Sequence, residues 1–255
     1  MNEKVEKQNE EKFRIVTSKT NTFPEQLALD ECQMNFLEQE RIKPTFRINY
    51  FKRPCVVFGF FKRVNEEVNV ENCKKAGVDI CRTLTNCETF YKEPNSEINF
   101  TLVVDDSDIN IPIDLIESYE KIFTLISKVL EGCNIKAEFK PLNNVLVNNK
   151  RIALINQVRK KRVIIFNASI LLSINQEEIK KFLKNTRLLE EGITSINEET
   201  KNKVEQKDVE KLLIEKFGQV FNTEFEREEI TKEELKVAEE LYNDKYSGNE
   251  WIYYR

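Results

Sequence analysis

Two stretches hold the residues able to do chemistry. In the first, Arg82-Thr83-Leu84-Thr85-Asn86-Cys87-Glu88-Thr89-Phe90-Tyr91-Lys92-Glu93, a thiol stands beside a carboxylate with an ammonium close behind. A cation near a thiol lowers its pKa toward the attacking thiolate, so Cys87 has two readings: an activated nucleophile, or a small side chain filling space as most free cysteines do. In the second, Asn143-Asn144-Val145-Leu146-Val147-Asn148-Asn149-Lys150-Arg151-Ile152-Ala153-Leu154, two carboxamides precede two adjacent cations. Lys150 and Arg151 differ in kind, a compact point charge beside a planar guanidinium that stays protonated. On a strand they face opposite ways. The chain has no histidine, which excludes Ser-His and Cys-His nucleophile pairs and any imidazole base. Six cysteines (Cys32, Cys55, Cys73, Cys81, Cys87, Cys133) include no Cys-x-x-Cys pair, and without histidine no zinc set is complete. No metal site is expected.

The elements that must position these residues can be sketched from periodicity. A strand at 13–17 leads to a helix at 23–40 opened by Pro24, with Leu27, Met34 and Leu37 at helical spacing. Segments 45–51 and 55–61 flank the turn signal Lys52-Arg53-Pro54 and read as a hairpin. A polar helix at 68–76 is closed by Gly77, and strands at 78–82 and 97–104 are expected side by side with the first chemical stretch between them. Leu115, Tyr119, Ile122, Ile126 and Val129 mark the clearest amphipathic helix, ended by Gly132. Strands follow at 135–139, 145–147, 152–157 and 163–173, the last two joined by the basic turn Arg159-Lys160-Lys161-Arg162. That turn is either a solvated tip or a docking patch for an acidic partner. A helix at 176–186, a polar linker at 187–204 and helices at 208–217 and 232–246 complete the chain. The expected organisation is a lead-in at 1–12, an α+β domain with a mixed sheet at 13–190, and a small helical domain at 191–255.

Charge narrows the partners. Net charge is −4 over 255 residues, with both signs mixed along the chain, so no basic stripe suggests nucleic acid. The apolar runs near 55–61 and 163–172 are too short to span a bilayer, the second being broken by Asn167, and residues 1–12 lack the apolar core of a signal peptide. A soluble, cytoplasmic protein is expected.

Six segments in order carry a resemblance: Leu27-Ala28-Leu29-Asp30-Glu31, the turn at Gly59, residues 66–77, 98–104, 143–153, and 245–251. Their sequence is similar to that of the lipoate-protein ligases and related octanoyltransferases, which share a biotin/lipoate-ligase-like catalytic fold. The resemblance implies a pocket built from Gly59, Arg82, Thr85, Asn86, Cys87, Glu88, Asn143, Asn144, Leu154 and Asn167. It further implies ATP, magnesium and a lipoate or octanoyl group as ligands, and a lipoyl domain or another lipoylation-pathway protein as partner.

The same comparison exposes departures. Glycines that let backbone amides approach a phosphate are replaced by Asn86, Cys87 and Glu88, whose side chains fill the space and whose carboxylate repels an anion. The family's His-Asp pair falls at Lys92 and Glu93. Asn144 replaces an aspartate that helps hold the metal, and its carbonyl brings no charge. Arg151 replaces a lysine, Leu154 a glycine that gives the acyl chain room, and Asn167-Ala168 a His-Gly. A guanidinium facing that pocket needs a carboxylate, so Arg151 is expected to pair with an acid, Glu88 being the candidate. The cysteine-bearing insertion of the octanoyltransferase branch is missing before Asn143. The expectation is therefore a non-catalytic binding or accessory protein of the lipoylation system, with no intact catalytic residue and no cofactor. The alternative is an active lipoate-protein ligase or octanoyl/lipoyl transferase with a site rewired around Arg151, Lys150 or Cys87.

Overall fold

The computed structural model describes residues 12–108, 110–141 and 143–254. Residues 1–11 of the expected lead-in lie outside them.

The chain opens with strand β1 (Phe13–Lys19) and helix α1 (Phe23–Glu38). Thr22 caps α1 in a reciprocal box with Glu25, and Pro24 occupies the first turn, where its missing N–H costs nothing. Strands β2 (Thr45–Tyr50) and β3 (Cys55–Phe58) follow, then α2 (Val64–Glu67), α3 (Val70–Ala76), β4 (Asp79–Arg82), β5 (Phe90–Lys92) and β6 (Glu97–Asp105). Gly77 ends α3 at φ 68°, the left-handed backbone that closes a helix. Helix α4 (Leu115–Gly132) precedes β7 (Glu138–Lys140), β8 (Asn144–Val147), β9 (Lys150–Lys160) and β10 (Val163–Leu171). Then come α5 (Gln176–Phe182), α6 (Arg187–Glu190), α7 (Ile196–Thr200), α8 (Gln206–Phe221), β11 (Phe225–Arg227), α9 (Lys232–Leu241) running into a π-turn (Tyr242–Tyr246), and α10 (Asn249–Ile252).

Among the described residues eight strands form a mixed sheet in the order β11-β1-β2-β6-β10-β9-β8-β7, and three form a second sheet, β4-β3-β5. The fold is α+β, as the sequence suggested. Two neighbour assignments need correction. β2 and β3 are not a hairpin: β2 pairs with β1 and β6 in the large sheet, β3 with β4 and β5 in the small one. Likewise β4 and β6 lie in different sheets, because the short strand β5, unread in the sequence, takes the place beside β3.

Alternation along the central strands sorts the large sheet into two unlike faces. Phe46 and Ile48, Ile98, Phe100 and Leu102, and Phe166 and Ile170 join one core with Ile122, Ile126 and Val129 of α4 and Leu213 and Phe217 of α8. The other face presents Arg47 and Asn49, Asn99 and Thr101, and Asn167 and Ser169, and α1 lies over it.

Residues 191–255, read as a separate helical piece, enter the same core. Phe217 stacks on Phe46 at 4.2 Å between centroids, β11 pairs in parallel with β1, and Glu234 of α9 binds Arg14 of β1. The stretch 187–204 read as a linker is folded structure, with Ile196 fully buried and Ile193 bridged to Arg151. No helix of the described residues is long and apolar enough to cross a membrane.

Candidate functional site

The site lies between the polar face of the large sheet, α1, and the loop 83–89 that joins β4 to β5. Gly59 follows β3 directly beneath that loop: a Cβ built on it would sit 2.4 Å from Cys87 O and 2.6 Å from Cys87 N. Only glycine permits this approach. Phe60 N–H donates to Thr85 O at 2.9 Å and Thr83 Oγ1 to the same carbonyl at 2.8 Å, so the loop is anchored at Thr85.

Within it Cys87 is buried, and burial pushes its thiol pKa up, against weaker opposing effects from the Thr83 and Thr85 hydroxyls and the Lys92 charge. Of the two readings of Cys87, this favours the side chain that fills space. Lys92 ends β5 with its ammonium on both Glu97 oxygens at 2.9 Å, on Asn99 Oδ1 at 2.9 Å and on Ser169 Oγ at 2.7 Å. A cation so fully committed has little field left for a neighbouring thiol.

Arg151 is the second residue of β9, which follows the Asn148-Asn149 turn, both turn residues at positive φ as a tight hairpin demands. It stays opposite Leu146 of β8 beside a register shift between Val145 and Leu146, and its backbone pairs on the other side with the former linker: Arg151 N–H to Gly192 O at 3.0 Å and Thr194 N–H to Arg151 O at 2.9 Å. The guanidinium is 11% exposed and donates through Nη1 to Glu88 at 2.6 Å; Nη2 lies 3.5 Å from Glu191. Glu88 is the carboxylate the sequence offered for this pairing. Glu191 was hidden by the linker reading.

Beneath this pair is a cavity of about 60 Å³, well below the ~300–1,000 Å³ usual for a ligand pocket. Of the residues named from sequence, Thr85, Cys87, Glu88, Asn143, Arg151, Leu154 and Asn167 line it. Asn143 is fixed by donating Nδ2 to Ile155 O at 3.0 Å. Gly59 acts from below through the loop backbone. Lys150 is exposed on the opposite face, its stem against Gly192, and Asn86 points outward. Asn144 is half-buried in β8 outside the lining. Arg82 is fully buried and donates to the carbonyls of Phe60, Lys62, Trp251 and Ile252, which binds the chain's last helix to β4. Its work is structural.

The polar face supplies what the sequence missed. Asp30 accepts from Arg47, from Thr101 Oγ1 at 2.9 Å and from Asn167 Nδ2 at 2.9 Å. Burial raises its pKa, opposed chiefly by the Arg47 charge. Asn49 Nδ2 donates to Thr101 Oγ1 at 2.8 Å, extending the network along the sheet. Period-two alternation with polar partners in β2, β6 and β10 was the available signal, since a polar strand face ordinarily means solvent. The basic hairpin tip is engaged too, with Arg162 on Glu40 at 2.7 Å and Lys161 on Glu38.

The chain matches the model of the lipoyl protein ligase A/B catalytic domain over residues 22–218. It is 25% identical to an octanoyltransferase LipM of Anoxybacillus flavithermus, covering 90% of this chain and 93% of that protein. Against the octanoyltransferase LipM of Clostridioides difficile it is 21% identical over 94% of this chain and 97% of the relative. Its fold matches a bi-partite lipoate protein ligase of Thermoplasma acidophilum, from an archaeal lipoylation system described with its E2 lipoyl domain. The TM-score is 0.82 at 21% identity, over 95% of this chain and 96% of that one. A lipoate-protein ligase A bound with ATP gives 0.82 at 22% identity, over 94% and 98%. With six ordered sequence segments, the two-sheet architecture and the family match in agreement, the chain belongs to the lipoyl protein ligase A/B catalytic-domain family.

Proposed function

We propose that this protein is a non-catalytic member of its family, a cytoplasmic binding or accessory protein of protein lipoylation that docks a lipoyl domain or another protein of that system. The observation carrying this reading is the Arg151–Glu88 pair at 2.6 Å above a cavity of about 60 Å³. Glu88 neutralises the cation that would otherwise meet a substrate carboxylate or phosphate. The cavity below has no room for an eight-carbon chain.

The donor set does not fit a magnesium nucleotide. The acids near Arg151 are Glu88 and Glu191, both directed at the guanidinium, and Asn144 brings no charge. No group of three acids, cysteines or histidines able to hold a metal occurs among the described residues. Cys87, with a raised pKa and no histidine, is a poor nucleophile for acyl exchange.

The relatives' names favour a second reading, an active octanoyl or lipoyl transferase working through a rearranged loop. Intact-mass analysis of an apo lipoyl domain decides between them, after incubation with the protein plus lipoate, ATP and magnesium, or plus octanoylated carrier protein. The expected result is no mass gain. An added lipoyl or octanoyl group, or an acyl thioester on Cys87 that Cys87→Ser abolishes, overturns the non-catalytic reading.

A further inference from the structure

Asn99 is 3% exposed and lines the cavity, and its Nδ2 is the one buried side-chain nitrogen without an acceptor among the described residues. Its orientation is fixed by chemistry. Oδ1 receives Lys92 Nζ at 2.9 Å and Ser169 Oγ at 2.7 Å, and turning the amide over would aim two N–H groups at an ammonium. A donor is therefore left over in the lining of a small chamber, in a protein that satisfies nearly all its other buried polar atoms.

We infer that the cavity takes a small neutral molecule ending in a carbonyl oxygen, of the size of a three-carbon amide, with that oxygen on Asn99 Nδ2. This rests on the reading of the chain as a non-catalytic protein and adds a small-molecule ligand for the cavity to it. Size sets the first limit: at ~10–15 Å³ for each water-sized occupant, 60 Å³ suits roughly four or five non-hydrogen atoms. Charge sets the second. Lys92 is balanced by Glu97 and Asp30 by Arg47, so the chamber floor has no spare cation and a carboxylate would be desolvated without compensation. Hydrocarbon is disfavoured for the opposite reason, since an alkyl end against Asn99 leaves the donor unpaired. Phe23 and Phe90 provide walls for two or three carbons, and the Leu154 side chain takes up further space in the lining.

The test follows the Asn99 side-chain NH₂ resonances of ¹⁵N-labelled protein during titration with acetamide, propionamide, hexanamide and propionate. Propionamide should shift them saturably, with hexanamide and propionate each at least tenfold weaker. Leu154→Gly should narrow or reverse the preference over hexanamide, and Asn99→Val should abolish propionamide binding. Should Asn99→Val fail to fold, the Leu154→Gly series and the wild-type resonances still decide. Resonances that stay unmoved to tens of millimolar, as when a permanently held water satisfies Nδ2, overturn the inference. So does hexanamide or propionate binding as tightly as propionamide. The lipoyl-domain assay reads separately: amide binding can fail while no acyl transfer occurs, and transfer can be found whichever amide binds.

Discussion

Gly59 and Cys87 meet backbone to backbone, closer than any side chain on Gly59 would allow. The contact lets loop 83–89 lie flat against the end of β3, and from there Glu88 reaches Arg151. Gly59→Ala should displace the loop and destabilise the protein by about 2 kcal/mol or more, because the clash is with backbone atoms that no rotamer change relieves. Urea denaturation measures the loss. An unchanged midpoint would show that the loop rests elsewhere.

The ion pair at the mouth is partly exposed, with Arg151 at 11% and Glu88 at 36% of their side-chain area. Its coupling should be moderate. In a double-mutant cycle of Arg151→Met and Glu88→Gln, the non-additive part is expected near ~1 kcal/mol, with Glu191 supporting the guanidinium when Glu88 is removed. Strict additivity would mean the two side chains do not meet in solution.

Lys92 and Glu97 are a different case, since both are buried. Lys92→Met leaves the Glu97 carboxylate uncompensated and should cost about 3–5 kcal/mol, whereas adding Glu97→Leu should recover much of the loss. Thermal unfolding of the two variants compares them directly. A double variant no more stable than Lys92→Met would place the cost in packing rather than in the stranded charge.

Glu234 makes stability depend on acid. Burial pushes its carboxyl up, but hydrogen bonds from Arg14, the Thr231 amide and Gln33 outweigh that and hold its pKa at about 2, below the ordinary 4.5. A carboxyl depressed in the folded state stabilises fully above its unfolded pKa and loses that contribution as pH falls. The window therefore runs from about 4.5 down through about 2, with about 3 kcal/mol at stake. Glu234→Gln should flatten the stability profile there while lowering stability at pH 7. A wild-type slope retained in the variant would assign the effect to other carboxyls.

What could be read from sequence follows the physics of each signal. Helix α4 was plain because its apolar stripe faces one core, and Gly132 and Cys133 mark its end. The Arg151–Glu88 pairing followed from a charge argument that needed only proximity. The segment 187–204 misled because its polarity is genuine: its backbone pairs with Arg151 and most of its charged side chains remain wet, while Leu188, Ile193 and Ile196 turn inward and Thr194 and Ser195 are buried with them. β5 is three residues long, too short for any period to show. The polar sheet face was opaque for a deeper reason. Asn49, Asn99, Thr101 and Asn167 alternate with apolar neighbours just as solvent-facing residues do, and only tertiary packing reveals that α1 covers them. Lys92 gave the same difficulty, a cation beside a thiol in sequence whose field is spent on Glu97, Asn99 and Ser169.

Arg14 reaches Glu234 across 220 residues, and Arg82 holds the carbonyl of Trp251 across 169. During synthesis at ~5–20 residues per second, Arg14 therefore waits roughly 10–40 s after translation before its partner exists. Throughout that interval the outer edge of β1 and the Arg82 end of β4 lack their late-made partners on a nascent chain. A ribosome stalled in the last quarter of the message would display an open strand edge and a stranded guanidinium, the surfaces that holding chaperones bind and neighbouring chains aggregate upon.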